Sequence, residues 1–347
     1  MEPVTHFLTG AVLSRAGCNR KTALATVTMA LAAEAADLDV VAYVRGSATG
    51  FIAHRGITHT FLAVPFVAAF VVGVVWLCDV LWQRYRRRRG LAAPAVRHWA
   101  WLYLFACLAA LSHLLLDFTN NYGLRPFYPF VRTWYAWDIV FIVEPLILAA
   151  FILALTLPWL FALINSEIGA RQRGPRGRGA AITALIFVVA LWAFRDFEHR
   201  RALAVLDAYE FHGQPSHRVA AFPTMINPFR WGGVAETDTG YFTARVDSFT
   251  PEVDPGEHSV AYFKPEANDV TRAASQSRLG RAYLEWARFP VLESEHLPEP
   301  AGGQLLRLRD VRFLYLNDTG RDVLSAYIQL DSAHRTVYEG FRPPGAH

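Results

Sequence analysis

Over the first 200 residues, apolar runs alternate with short polar breaks, and the polar groups at the breaks are of few kinds. Residues 3–16 are apolar at Val4, Phe7, Leu8, Ala11, Val12 and Leu13, with His6 on the first turn. At about 1.5 Å per residue such a helix reaches about 20 Å, short for a bilayer. Residues 22–38 are rich in Ala, Val and Leu and close on Glu34, Asp37 and Asp39. A connection over 40–58 carries Gly46, Gly50, His54 and Gly56. Apolar runs of spanning length follow at 59–83, 96–118 and 139–164, the last interrupted by Glu144-Pro145, and a final one lies at about 180–195. The pattern predicts a membrane all-α fold, a polytopic helical bundle of about five to six membrane segments. The break at 119–137 holds Asn120, Asn121 and Gly123, then Trp134, Tyr135 and Trp137, aromatics suited to a membrane–water interface.

From about residue 197 the apolar runs shorten and Pro, Gly and charged residues rise. Strands are predicted at 228–235, 240–249, 258–264, 304–317 and 322–331, with the clearest alternation at 241–246. A helix is expected within 270–288, and 199–210 continues the last apolar segment. Trp231-Gly232-Gly233 reads as a strand with a bulge rather than a phosphate loop. The expected organisation is a helical transmembrane domain over 1–197 and a soluble α+β domain over 198–347.

Composition agrees with membrane spans: 53% of residues are hydrophobic and 18% charged, and mean hydropathy is +0.20. The net charge is only +4, but the basic residues are placed tellingly. Arg84 with Arg86 to Arg89, and Arg171, Arg173, Arg176 and Arg178, both lie between apolar segments. Charge flanking a span is read as a topology signal rather than a nucleic-acid surface. Putting those loops and the basic turn at 15–21 in the cytoplasm sends His6, Asp37, Asp39, His54, His59, His113, Asp117 and Asp138 to the outer ends of their segments. It also exports the C-terminal domain. The expectation is a multi-pass protein of a bacterial or archaeal cytoplasmic (inner) membrane. The first apolar run has no basic n-region and is soon interrupted, so no cleavable signal peptide is expected. Cys18, Cys78 and Cys107 show no C-x-x-C spacing and read as small buried hydrophobes.

The joint placement of these polar groups points to chemistry. His113 and Asp117 are four apart, which puts them one turn apart on one helix face. His54 and His59 bracket Gly56, where the backbone can pass close to a ligand. Each residue alone has a plainer reading: a satisfied polar pair, acids at the interface, a headgroup contact for Arg55, helix caps for Thr58 and Thr60. Together, four histidines and several aspartates at one end of separate segments read as a metal site. The expected ligands are His6, Asp37, His54, His59, His113, Asp117 and Asp138, holding one or two divalent ions, Zn2+ first, with Mn2+ or Fe2+ as alternatives. Glu34, or a non-ligating acid such as Asp39, would take a proton, and Arg55 would stabilise charge on the substrate. Partners follow from the setting: the lipid bilayer and a lipid or lipid-linked substrate. A metal carrier or assembly factor without catalysis is the alternative. It would need polar groups continuing toward the cytoplasmic side, where the spans are apolar apart from the arginines and Asp79. A third possibility, a functional C-terminal domain on a mere anchor, leaves the buried acids unexplained.

The blocks Thr5-His6-Phe7-Leu8-Thr9-Gly10, Glu34-Ala35-Ala36-Asp37-Leu38-Asp39, His54-Arg55-Gly56-Ile57-Thr58-His59-Thr60, His113-Leu114-Leu115-Leu116-Asp117 and Asn121-Tyr122-Gly123 resemble the YdjM-type inner-membrane proteins. These are described as predicted membrane-bound metal-dependent hydrolases. The resemblance covers roughly residues 1–200 and implies a membrane-embedded metal site. The family also looks distantly similar to zinc-dependent phospholipase C, which would imply a phosphoester substrate, by analogy of fold alone.

Overall fold

The computed structural model describes residues 1–91, 95–167, 177–211, 213–254, 261–297, 302–314 and 324–345. Its first seven helices are α1 (Pro3–Ala16), α2 (Ala25–Glu34), α3 (Ser47–Ala53), α4 (Val64–Arg88), α5 (Trp99–Thr119), α6 (Pro145–Glu167) and α7 (Arg178–Asp207). Two compact units emerge. The first holds Met1–Asp39, Arg55–Val131 and Tyr135–Phe194; the second holds Val40–His54, Arg132–Trp134 and Arg195–His347.

Among the described residues four helices are long and apolar enough to cross a membrane, Val64–Arg88, Trp99–Thr119 and Pro145–Leu163 in the first unit and Arg178–Asp207, whose residues from Arg195 onward belong to the second. The five to six segments expected from the sequence are therefore reduced. α1 has 14 residues and α2 has 10, about 21 and 15 Å at 1.5 Å per residue, against about 30 Å of hydrocarbon. Residues 22–38 lose length because the α-helix stops at Glu34 and the chain tightens into a 3-10 run, Ala35–Arg45. The third long helix begins at Pro145 rather than 139. Proline disfavours helix in the residue before it and suits the first helical position. Asp138, expected to open that helix, sits instead in irregular chain with φ +59°.

The short helices are packed inside the bundle. Ala25, Met29, Ala32 and Ala33 of α2 close against Ala68, Val71 and Val75 of α4 and Leu102, Ala106 and Ala109 of α5. These are mostly small side chains, which lets helix backbones approach closely where apolar burial alone gives no drive in lipid. Val12 of α1 joins Leu116, Ile147, Phe151, Ala181 and Leu191 in a second cluster. Large side chains such as Phe66, Phe70, Trp76, Leu81 and Trp82 of α4 point outward. So does Cys78, expected to be buried but exposed here; Cys18 and Cys107 are partly buried, and all three are free thiols. Arg171, Arg173 and Arg176 lie outside the described residues.

The second unit is built on antiparallel sheet. The strands are β1 (Arg218–Pro223), β2 (Arg230–Glu236), β3 (Gly240–Asp247), β4 (Glu252–Asp254) and β5 (Ala261–Phe263), and then β6 (Pro290–Leu297), β7 (Gly303–Asp310), β8 (Ala326–Leu330) and β9 (Thr336–Gly340). One sheet runs β1-β2-β3-β4 with β5 also paired to β3; the other runs β6-β7-β8-β9. The helix expected within 270–288 is two, α8 (Asp269–Gln276) and α9 (Arg278–Trp286). The first is capped by Asn268 and the second by Ser277. Residues 258–260, 315–317 and 322–323 of the expected strands lie outside the described residues. Residues 40–54, expected as a plain connection, contain α3, whose Phe51 packs on Tyr283 and Trp286 at ring distances of 5.8 and 5.4 Å. The bulge expected at Trp231-Gly232-Gly233 is absent: β2 keeps regular register with both neighbours. A Cβ on Gly233 would stand 3.0 Å from Leu206, so the glycine serves the packing of α7 on the sheet.

Candidate metal centre

The centre lies wholly in the first unit, at one end of its helices. α5 supplies His113 and Asp117 from its last two turns, both fully buried. The 3-10 run after α2 supplies Asp37, and a short 3-10 turn, Ile57–His59, supplies His59. These four offer one ligand atom each, all within 4.8 Å of one another. His59 Nε2 is 3.1 Å from His113 Nε2 and 3.2 Å from Asp37 Oδ1. His113 Nε2 is 3.7 Å from Asp37 Oδ1. Asp117 Oδ2 is 3.5 Å from each imidazole nitrogen. For an ion of zinc's size, bonds of about 2.0–2.1 Å put tetrahedral ligands about 3.4 Å apart. The observed spacings bracket that edge length.

The outer partners decide what these atoms can be. His113 Nδ1 is 2.7 Å from the Ala33 carbonyl oxygen, which only accepts, so Nδ1 carries the proton. His59 Nδ1 faces Asp39 Oδ2 at 3.2 Å and Thr58 Oγ1 at 3.0 Å. The Thr58 hydroxyl donates to the same Asp39 oxygen at 2.9 Å, so His59 Nδ1 is again the donor. Each Nε2 is thereby turned to the centre as a ligand lone pair, the usual arrangement behind metal-binding histidines. No hydrogen-bond donor among the described residues reaches Asp117 Oδ2. Two nitrogens and two carboxylate oxygens converging in this way, mostly buried, fit a divalent cation.

Asp117 Oδ1 is held from the other side. Arg55 Nη2 donates to it at 2.7 Å, and the Met1 amino group and the His6 ring also lie against it. Arg55 has positive φ, +53°. Its Nη1 donates to the Gly123 carbonyl at 2.7 Å and to Asn120 Oδ1 at 3.3 Å, and it lies over the Tyr122 ring. Asn120 Oδ1 also accepts from the Tyr122 backbone N–H. Expected from the sequence to stabilise charge on the substrate, Arg55 is 4% exposed and donates to Asp117.

Electrostatics follow from this crowding. Burial alone would raise the Asp37 carboxyl, but the hydrogen bond to His59 and the nearby His113 outweigh it and hold its pKa at about 2. Burial opposes a charged His59, yet Asp37 and Asp39 outweigh burial and raise its pKa. In the metal-free chain a proton at His59 Nε2 therefore competes with the cation.

The other sequence candidates are placed around this quartet. His6 stacks on His113 with ring centroids 3.8 Å apart, behind the four ligand atoms. Asp39 backs His59. His54 is the C-cap of α3 and belongs to the second unit. Asp138 is 5% exposed but is not one of the four. Asn120, the Gly123 carbonyl, Tyr122 and the Ala33 carbonyl are supports that sequence reading gave no role. Their signal was slight: an Asn-Asn-Tyr-Gly turn directly after the His113–Asp117 helix. Asp39→Asn should weaken divalent-metal affinity by about 10- to 100-fold, the usual cost of losing a carboxylate behind a ligating histidine. Competition against a chelator measures it, and wild-type affinity would remove Asp39 from this role.

Comparison with known proteins bears on the same half of the chain. The protein described as "Uncharacterized protein YfhP" of Bacillus subtilis (strain 168) is 26% identical over 124 residues, 36% of this chain and 33% of that protein. The chain thus spans about a third of that relative's length. No solved structure matches. The family of the YdjM inner membrane protein matches residues 1–202, the stretch that carries every residue of the quartet, the first three apolar helices and all but the last turn of the fourth. The chain belongs to the YdjM inner membrane protein family.

Proposed function

We propose that the protein is a metal-dependent hydrolase of the membrane–water interface, acting on a phosphoester or ester of a lipid or lipid-linked substrate. The observation that carries this reading is the convergence of His59 Nε2, His113 Nε2, Asp37 Oδ1 and Asp117 Oδ2 at the end of membrane-length helices. Two imidazoles and two carboxylates at tetrahedral spacing favour Zn2+, and Mn2+ or Fe2+ accept the same donors. Bound there, the cation supplies Lewis acidity toward water and toward the substrate's phosphoryl or carbonyl oxygen. Asp39 and Ala33 fix the two imidazoles, and Arg55 fixes Asp117. Arg55 thus serves as a positioning residue.

Glu34, the last residue of the short α2, is the proton acceptor in this reading. Its Oε2 is buried and has no hydrogen-bond partner among the described residues. Burial first, then the charges of Asp37 and Glu2, push its pKa up to about 8. In the metal-free chain Glu34 therefore holds a proton at neutral pH, and the positive charge of a bound cation would favour the carboxylate that can accept one. The arginines after α4 and before α7 favour an outward-facing site and an exported C-terminal domain. A carrier would need carboxylates leading on toward the other end. Asp79 of α4 is instead closed by Arg97 at 2.5 Å and Gln83 at 2.6 Å.

The test is hydrolysis of phosphoester and carboxylic-ester panels by the detergent-purified, metal-loaded protein, alongside Glu34→Gln. The variant should keep its metal and lose about 10²-fold in kcat. If the loaded wild type hydrolyses neither class, the hydrolase reading fails; if Glu34→Gln keeps full rate, Glu34 is not the proton acceptor.

A further inference from the structure

A groove of about 440 Å³ opens beside the metal centre, within the range of ligand pockets. Its metal end is formed by Ala35 and Leu38, which flank Asp37, and by Thr58, the neighbour of His59 that bonds Asp39. Its far end is formed by Phe66 and Phe70 on the first two turns of α4. Apart from Thr58 the lining side chains are aliphatic or aromatic. Leu38, Phe66 and Phe70 are large and exposed, Phe66 at 69%. A soluble enzyme would not leave such a strip uncovered. α4, however, is a membrane-length helix, and Phe66 and Phe70 stand on its outward face.

We infer that this groove seats one hydrocarbon chain of an amphiphilic ligand and so presents its headgroup to the metal centre. The inference rests on the hydrolase reading for the fate of the headgroup, but not for the seat of the chain. Its occupant follows from continuity. One end of the groove is lined by Leu38 and Thr58, the chain neighbours of Asp37 and His59, and the other by Phe66 and Phe70 on the outward surface of a membrane-length helix. A chain lying in it leaves the bilayer without leaving an apolar surface. The polar group it carries arrives beside Asp37 and His59. A water-soluble phosphoester would use the metal end alone and leave the groove empty.

The probe is a hexadecylphosphonate carrying a mid-chain diazirine, which cannot be hydrolysed as an ester. It is photo-crosslinked to the purified full chain in detergent and mapped by peptide mass spectrometry. Saturable labelling within residues 57–70 is expected. Unlabelled hexadecylphosphonate should compete, and ethylphosphonate or inorganic phosphate should not. Val67→Trp plugs the groove, and Val67→Phe is the milder plug if the first misfolds. Either should raise the half-saturating concentration at least tenfold while labelling of other lipid-facing helices stays unchanged. Labelling that never saturates, that phosphate abolishes, or that both plugs leave intact overturns the seat. The groove would then be open bilayer contact or a phosphate site only. Because the readout is binding, a protein that hydrolyses nothing still answers the question. A protein that hydrolyses short and long esters alike, with no saturable labelling, keeps the hydrolase reading and loses this one.

Discussion

The detergent-purified protein carrying His113→Ala together with Asp117→Ala is expected to hold no divalent metal, where the wild type holds about one equivalent. The two side chains supply half of the quartet, and they come from one helix face. Their removal leaves Asp37 and His59 facing a void. Two ligands do not complete a tetrahedral site, so affinity should fall below what survives a desalting column. Under the proposed function, hydrolysis should fall with it to background, since the remaining residues hold no Lewis acid. The protein should still insert and elute as the wild type does. The pair removes a buried carboxylate and leaves Arg55 without its Asp117 partner, which costs some stability. The conservative variant Asp117→Asn keeps the shape and separates the two effects. It should fold normally and still lose most of its metal. Elemental analysis of the three proteins decides it. Full metal occupancy in the double variant would mean that the cluster is a polar network and the cation sits elsewhere.

The centre was partly legible before the fold. The four-residue spacing of His113 and Asp117 survives any helical context, because it depends only on helix geometry. His59 and Asp37 were named by their position at segment ends. What sequence could not resolve was which of the candidates converge. Asp37 and Asp39 are two apart, and a 3-10 run turns one toward the centre and the other toward the back of His59. Arg55, expected to stabilise charge on the substrate, has as partners Asp117 and Gly123, each more than 60 residues away in the chain and so invisible to a local reading. His54 and Asp138 share the composition of the quartet and are not among its four residues. Membrane-length helices were legible because length and apolarity are enough to mark them. α1 was already short for a span by its residue count, whereas α2 was not, since a helix buried inside a bundle carries the same residues as one that crosses it. In the second unit the missed strands include the sheet edges β1, β6 and β9. β6 is mostly exposed over Glu293–His296, and β1 is buried along four consecutive residues. Neither shows the period of two that marks a half-buried strand.

The tightest requirement in the first unit is at Gly10 of α1. A Cβ there would stand 2.2 Å from the Met29 carbonyl oxygen and 2.8 Å from the Ala30 Cα, both backbone of α2. No rotamer change relieves such a contact; α1 and α2 must move apart. α2 leads directly to Glu34 and Asp37, and the Ala33 carbonyl on it fixes His113. Gly10→Val should therefore strike stability and site together. Overpacking between side chains costs about 1–3 kcal/mol, and backbone against backbone should reach or exceed about 3. A large loss of thermal stability in detergent and reduced metal occupancy are expected together. Gly73 on α4 is the control: a Cβ there meets nothing within 4 Å. Gly73→Ala should be neutral or gain up to about 1 kcal/mol from helix propensity. A thermal-unfolding comparison that ranks the two variants alike would show that α1 does not lie against α2 as described, and with it would go the placement of His6 behind the quartet.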